Sequence, residues 1–404
     1  IGMTPWLHVV GIGEDGLSGL SAAARAQVET AEVIVGGDRH HALAPNITAE
    51  RVAWPSPFDA MISVIRSHHG RRVVVLVTGD PLWFSVGARI SDARREQHIP
   101  AGEITYYPQL SAFQWAAARM GWSLADVETL TAHGRPAEQV VPYFWPGAQL
   151  LILTAGAQTP GEIAALLTAR GFGDSRLTVL GALGGADEAR IEGQATGWDA
   201  PCPAFHTLAV EVAGTRGRLL PRVPGLPDDA FTHDGTMTKR EMRALTLAKL
   251  MPARGEHLWD IGCGCGSISV EWMRAAPDAT ATGIDIKPER LEMARANAVQ
   301  LGTPRLSLIG GRVPEALHGL PPPDAVFIGG GLSEDIITRA RAALPRGGRL
   351  VANAVTLESE ALLTTAHATH GGELVRISAA RAEAVGPYRG WRTGMPVTQW
   401  SLMT

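Results

Sequence analysis

At 404 residues the chain exceeds what one ordinary hydrophobic core organises, so two domains are expected. Hydrophobic residues make up 45% and charged residues 19%, which excludes intrinsic disorder, and a net charge of −4 gives no long-range attraction to nucleic acid or to an anionic membrane. Three cysteines (Cys202, Cys263, Cys265) are too few, and odd in number, for a disulfide framework, so a cytoplasmic location is expected. No apolar run approaches the roughly 20 residues of a membrane helix, and no basic-then-apolar leader is visible at the start. Ile1 and Gly2, ahead of Met3, read as residues added to the natural chain.

The first half opens with a strand at Trp6–Val10 running into a glycine loop, Gly11 to Gly16. A helix is expected over Leu17–Ala31, with Ser18 or Ser21 as its N-cap. Val33–Gly36 reads as a strand, Phe58–His68 as an amphipathic helix, and Val73–Thr78 as a central strand covered on both faces. That strand ends in Gly79-Asp80-Pro81. A helix over Leu82–Gln97 and a strand at Ile104–Tyr107 follow. A second subdomain then begins near Pro108, with helices at Ser111–Met120 and Pro160–Arg170 and strands at Gln149–Thr154, Leu177–Leu183 and Ala209–Val212. Pro221, Pro224 and Pro227 mark a linker over residues 214–230.

The second half, residues 231–404, alternates the two patterns. Strands are expected at His257–Asp260, Ala279–Asp285, Arg305–Ile309, Ala325–Ile328, Arg349–Ala352 and Glu373–Ser378. Helices are expected at Lys239–Met251, Ser267–Ala275, Pro288–Leu301, Glu334–Ala343 and Leu357–His370. Such alternation implies a parallel sheet covered by helices on both faces. No short repeat is visible, and the two halves read as different α/β designs.

The strongest motif is Asp260-Ile-Gly262-Cys263-Gly264-Cys265-Gly266, where a strand runs straight through glycines into a helix. A side chain there would block the turn and hold the backbone away from a ligand. The order Asp-x-Gly-x-Gly-x-Gly differs from the dinucleotide fingerprint, which aims a helix at a pyrophosphate, and suits a nucleoside bearing an amino-acid tail. Asp285, at the end of the next strand, is placed to accept hydrogen bonds from ribose hydroxyls. These residues and the strand pattern resemble the class I methyltransferases. The stretch Phe231 to Leu250, Gly311-Arg312-Val313 and Ala325 to Gly331 are similar to the decarboxylating precorrin methylases over about residues 230–404. The resemblance implies that Thr238, the Gly262–Gly266 loop, Asp285 and Val313 contact the cofactor.

The first half carries a second set: Gly11-Ile-Gly13, then Gly79-Asp80-Pro81-Leu82 followed by aromatics, then Ser111-Ala112. A turn and a carboxylate at the carboxyl end of a central strand lie where open α/β sheets bind ligands. With Thr131-Ala-His133-Gly134-Arg135, these stretches resemble the class III tetrapyrrole methylases over about residues 6–212. That resemblance implies a fold of two α/β subdomains with the cofactor between them, held by Gly11, Gly13, Gly79, Asp80, Leu82, Ser111, Ala112 and Thr154. Glu14-Asp15-Gly16 stands where that superfamily often has Gly-Pro-Gly.

The pairing implies one S-adenosylmethionine per domain, no metal, a precorrin substrate, and neither nucleic acid nor membrane as partner. The expected reaction methylates bridging carbons 5 and 15 of precorrin-6B and decarboxylates the ring C acetate, giving precorrin-8X. Carbon 5 falls to the first half, and carbon 15 with the decarboxylation to the second. The substrate is rich in carboxylates, so Arg and Lys are natural anchors. Candidates are His133 and Arg135 in the first half and His233, Lys239, Arg240, Arg243 and Arg312 in the second, with Arg381, Tyr388 and Arg392 in a late covering loop. His40-His41 and His68-His69 read as surface histidines, and Cys263 and Cys265 as small residues in a tight turn. A homo-oligomer is expected. The rival readings are an RNA or other small-molecule methyltransferase and a cofactor sensor.

Overall fold

A computed structural model describes residues 5–404, so the Ile1-Gly2-Met3 opening lies outside the described residues. Two compact units divide the chain. The first runs to Ala137 and resumes over Pro146–Gly217, and the second takes Glu138–Trp145 together with Arg218–Thr404.

The first unit contains two sheets. β1 (Leu7–Ile12), α1 (Ala22–Glu29), β2 (Val33–Gly36), α2 (Asp38–Leu43), β3 (Glu50–Ala53), α3 (Met61–Ser67), β4 (Val73–Thr78), α4 (Val86–Ile90) and β5 (Ile104–Tyr107) build a parallel sheet of order β3-β2-β4-β1-β5. α5 (Ala112–Met120), β6 (Glu128–Thr131), β7 (Gln149–Leu153), α6 (Thr159–Ala169), β8 (Arg176–Gly181), β9 (Ala189–Gln194) and β10 (His206–Glu211) build the other, of order β6-β7-β10-β8-β9, in which only β6 and β7 are parallel. β4 shows why the first sheet is stable. Val73, Val75 and Val77 enter one core cluster and Val74 and Leu76 another, so the strand is covered on both sides. Each such buried side chain contributes about 1.5–3 kcal/mol.

The second unit contains α7 (Arg240–Leu250), β11 (His257–Ile261), α8 (Ser267–Ala275), β12 (Thr280–Asp285), α9 (Pro288–Gln300), β13 (Ser307–Gly310), β14 (Ala325–Ile328), α10 (Glu334–Ala343), β15 (Arg349–Ala354), α11 (Leu357–His370), β16 (Glu373–Ile377), β17 (Ala380–Val385), β18 (Tyr388–Thr393) and β19 (Val397–Met403). Its sheet has the order β13-β12-β11-β14-β15-β19-β16. The chain moves outward from β11 to β13, then returns to β14 on the other side. The topological switch point therefore lies between β11 and β14, where open α/β sheets bind ligands.

Several expectations are corrected. The helix expected over Leu82–Gln97 shrinks to α4, because side chains compete for the backbone at both ends. Asp80 Oδ1 accepts from Leu82 N at 2.8 Å, and Asp92 Oδ1 accepts from Arg94 N at 3.1 Å. The helix expected from Leu17 starts at Ala22, with Ser21 as its N-cap. The sheet of the second unit is not wholly parallel, since β19 runs antiparallel between β15 and β16. Arg381, Tyr388 and Arg392 lie in the β17–β18 hairpin rather than in a loop. From Arg218 onward, the stretch read as a linker packs into the second unit, with Leu226 and Ala230 buried. No helix among the described residues is long and apolar enough to cross a membrane.

Arg243 explains that packing. It is fully buried beside an equally buried Glu271, with Nε 2.7 Å from Oε1. Its other nitrogens reach Asp228 and the carbonyls of Thr238 and Leu226, and Glu271 accepts from Gly225 N and Leu226 N. Breaking such a pair strands a buried charge, so Arg243→Ala should cost about 3–5 kcal/mol in urea unfolding. The double change Arg243→Met with Glu271→Leu should cost much less. A single-variant loss under about 1 kcal/mol would contradict this account.

Candidate functional site

In the second unit a pocket of about 340 Å³ opens at the switch point, a size suited to a small-molecule ligand. Gly262, Cys263 and Gly264 form one wall, Asp285 and Ile286 a second, Arg312 and Val313 a third, and Gly329–Gly331 a fourth. Gly262 has φ +72°, and a Cβ on it would sit 2.6 Å from Gly330 Cα, so only glycine lets these two strand ends meet. Asp285 orders the loop: Oδ2 accepts from Gly264 N and Oδ1 from Lys287 N, each at 3.0 Å. Its remaining lone pairs are available to ribose hydroxyls.

Asp260 lies beneath the loop and is fully buried. Its Oδ2 accepts from Ser269 N (3.1 Å) and Ser269 Oγ (2.6 Å), while Oδ1 has no partner among the described residues. Burial pushes its carboxyl up to about 6, and Asp285 adds to the shift. Burial likewise raises the Cys263 thiol, which keeps it protonated. Two carboxylic acids at a glycine loop disfavour a phosphate and suit a nucleoside carrying a positive charge.

Of the candidates here, Thr238, Gly262, Cys263, Gly264, Asp285, Arg312 and Val313 line the pocket. Asp260, Cys265 and Gly266 support it from behind: Cys265 packs into a core cluster, and a Cβ on Gly266 would meet α9 at Ala294. Arg312 is exposed and has no ion-pair partner among the described residues. His233 Nδ1 accepts from Gly235 N, Lys239 donates to the Gly235 carbonyl, and Arg240 is exposed at the start of α7. Arg243 is not an anchor facing the pocket; it is the buried brace described above. Sequence reasoning missed Arg290, which lines the pocket and binds Asp234 Oδ2 (2.8 Å) and Thr236 Oγ1 (2.6 Å). The Thr236 hydroxyl foremost, then Thr236 N and Arg290, hold the Asp234 carboxyl well below the usual carboxylate range.

The first unit repeats the glycine contact. A Cβ on Gly11 would overlap the Gly79 carbonyl oxygen, and Gly79 (φ +62°) stands against Ser111. Gly11, Gly79 and Ser111 thus converge at the ends of β1 and β4 and the start of α5, which Ser111 caps through Gln114, with Ala112 as its first residue. Gly13 lies against Asp15, Asp80 is engaged by Leu82 N, and the Leu82 side chain is exposed. Thr154, at the end of β7, donates to the His206 carbonyl at 2.7 Å. His133 and Arg135 are exposed after β6, and His133 N donates to Thr131 Oγ1. His40, read as a surface histidine, is half-buried with both ring nitrogens engaged, and burial foremost pushes it down to about 4.

Two family models match different parts of the chain. The family model for tetrapyrrole (corrin/porphyrin) methylases matches residues 6–197, and that for the precorrin methyltransferase domain matches residues 229–404. A precorrin-6Y C(5,15)-methyltransferase [decarboxylating] from Sinorhizobium sp is 48% identical over 99% of this chain and 96% of its own length. The chain belongs to the precorrin-6Y C5,15-methyltransferase (decarboxylating) family. It is therefore a methyltransferase with two α/β halves. Shorter relatives of the precorrin-6Y methyltransferase also match. A probable cobalt-precorrin-6B C(15)-methyltransferase (decarboxylating) from Pyrobaculum calidifontis is 37% identical over 41% of this chain and 88% of its own. A cobalt-precorrin-7 C(5)-methyltransferase from Salmonella typhimurium is 32% identical over 43% and 83%.

Within this precorrin-6Y methyltransferase family member, Asp260 yields a pH test. Its carboxyl titrates near 6 when folded, against 3.8 ordinarily. Between those values the folded chain holds a proton that the unfolded chain has released, so the contribution of this group to stability falls as pH rises from about 4 to about 6. In urea unfolding, Asp260→Asn should gain on the parent chain across that window by on the order of 3 kcal/mol and hold the gain above it. A gap that stays constant from pH 4 to pH 7 would count against the burial of an ionised Asp260.

Proposed function

We propose that the chain uses S-adenosylmethionine to methylate carbons 5 and 15 of precorrin-6B and to decarboxylate its ring C acetate, giving precorrin-8X. The first half methylates carbon 5; the second methylates carbon 15 and removes the carboxylate; each binds its own cofactor. The observation that carries this reading is the presence of two separate glycine-to-glycine crevices, Gly11 against Gly79 and Gly262 against Gly330. It is supported by relatives whose names divide the same two activities between shorter chains. Cytoplasmic residence and self-association complete the reading, without nucleic acid or membrane as partner. The β17–β18 hairpin and its exit leave Tyr388, Trp391 and Met395 largely exposed, a surface suited to a second copy.

The cofactor supplies a methyl group from a sulfonium. The protein has to hold that methyl in line with an electron-rich bridging carbon and exclude water, and such positioning is worth roughly 7–11 kcal/mol. In the second half, Asp285 is set to hold the ribose, and the buried Asp260 and Asp285 favour the positive sulfonium over the neutral product. Arg312 stands at the pocket edge to take a substrate carboxylate. Seating the ring C acetate away from water would raise its energy and favour loss of carbon dioxide, with the conjugated ring as the electron sink.

Full-length chains with a lesion in one crevice test the division. Mass spectrometry of product from precorrin-6B should show two added methyls and lost carbon dioxide for the parent. Gly262→Val should add at most one methyl, at carbon 5, and retain the carboxylate; Gly11→Val should add one methyl, at carbon 15, and lose it. Decarboxylation by the Gly262→Val chain would overturn the assignment. Titration calorimetry with S-adenosylhomocysteine should give two sites per parent chain and one per variant.

A further inference from the structure

Arg39 lies in α2, at the carboxyl end of the first sheet, and partners from both sheets of the first unit fix its guanidinium. Glu14, in the loop after β1, forms an ion pair with one terminal nitrogen. Thr78 Oγ1, at the end of β4, accepts from the other at 3.0 Å. The Phe205 ring, just before β10, has its centre 3.8 Å from the guanidinium carbon, a stack that sets the plane of the group. Arg39 thus stands between the Thr78-Gly79-Asp80 turn and the Phe205-His206 step that Thr154 holds.

Neighbouring groups leave this charge to act alone. His40 Nδ1 accepts from Gly37 N, so Nε2 carries the proton and donates to Thr78 Oγ1 at 2.9 Å. With the ring pushed down to about 4, His40 is neutral at physiological pH. Arg39 remains charged although burial lowers its pKa. A guanidinium has five N–H donors, and Glu14 and Thr78 are the partners of Arg39 among the described residues. About a third of its side chain is exposed (32%). A clasp between sheets would be complete with the ion pair alone. Here the plane is fixed by an aromatic ring, the charge is half desolvated, and donors are left over, which is the arrangement that takes up a further carboxylate. Phe205, Leu82, Phe84 and Leu110 are exposed apolar side chains of the same unit, suited to the face of a large ring.

We propose that Arg39 binds a carboxylate side chain of the tetrapyrrole at the first-half site, with Glu14, Thr78 and Phe205 holding its guanidinium in place. This rests on the reading of the first half as a methyl-transfer site. The test uses the full-length chain, precorrin-6B and isotopically labelled S-adenosylmethionine, with Arg39→Gln and Arg39→Lys beside the parent. Losing a charge-assisted hydrogen bond should raise the KM for tetrapyrrole in carbon-5 methylation about tenfold or more for Arg39→Gln. Arg39→Lys, which keeps the charge and loses the fork, should fall between. Carbon-15 methylation and decarboxylation in the same reaction should run at the parental rate. Affinity for S-adenosylhomocysteine and the Tm of Arg39→Lys should stay at parental values. An unchanged KM in both variants would overturn the proposal. So would a fall in cofactor affinity or Tm of Arg39→Lys that matches the rise in KM, since Arg39 would then be a clasp. If the parent itself adds no methyl at carbon 5, the reading of the first half fails and takes the proposal with it.

Discussion

Both halves depend on one steric constraint: two neighbouring parallel strands must end in backbones that touch. Gly11 meets Gly79 across β1 and β4, and Gly262 meets Gly330 across β11 and β14. Ordinary side chains would push these ends apart and fill the space above them. With glycine the loops fold back, and amides and carbonyls face an open crevice instead of methyl groups. The sheet order of the second unit puts its contact at the switch point, where the following helices diverge and leave room for a ligand.

A crevice lined by glycine has little rigidity of its own, so its walls must be braced from outside. In the second unit the brace is electrostatic. The Arg243–Glu271 pair is tolerated in the core because nearly every donor and acceptor around it is used. One of those bonds ends on the Thr238 carbonyl, beside the pocket. Asp228 and Glu241 extend the brace outward to Arg381 on the hairpin. Farther along the sheet, Gln399 and Asn353 share hydrogen bonds with Thr246, which pins β19 between its antiparallel neighbours.

What was legible in the sequence was whatever local chemistry decides. The Val73–Thr78 run is strongly apolar and mostly β-branched, and it forms a strand with those bounds. The Asp260–Gly266 motif announced a strand, a tight loop and a helix because no other residue tolerates those turns. Illegible features depended on partners distant in the chain. Arg243 reads as an anchor for substrate carboxylates until Glu271 and the 225–238 segment close over it. His40 reads as a surface histidine, and Arg39 carries no sequence signal at all, until Glu14, Thr78 and Phe205 converge on Arg39 and Thr78 also engages His40. β17, β18 and β9 are largely exposed, so no buried stripe of large apolar residues marks them in the sequence. The expected helix after Asp80 failed for the reverse reason: short-range side-chain bonds, which periodicity ignores, outcompeted the helical ladder.

Charge placement gives the proposed chemistry a direction. In the second unit the acids lie deep, with Asp260 fully buried and Asp285 nearly so, while Arg290 and Arg312 stand nearer the opening. On the proposed function a cationic nucleoside would be drawn toward the floor, and a polyanionic ring would be repelled from the floor and held at the edge. The same field loses its hold once the sulfonium has given up its methyl, because a neutral thioether gains nothing from buried carboxylates. Product release is thus favoured by the groups that favoured entry of the charged cofactor. On the proposed function the first unit would meet the same two ligands with a different set of residues: Asp80 at the turn, engaged by Leu82 N, and Arg39, bonded to Thr78. Two unlike folds thus place carboxylate and guanidinium groups around the ends of strands that only glycine allows to meet.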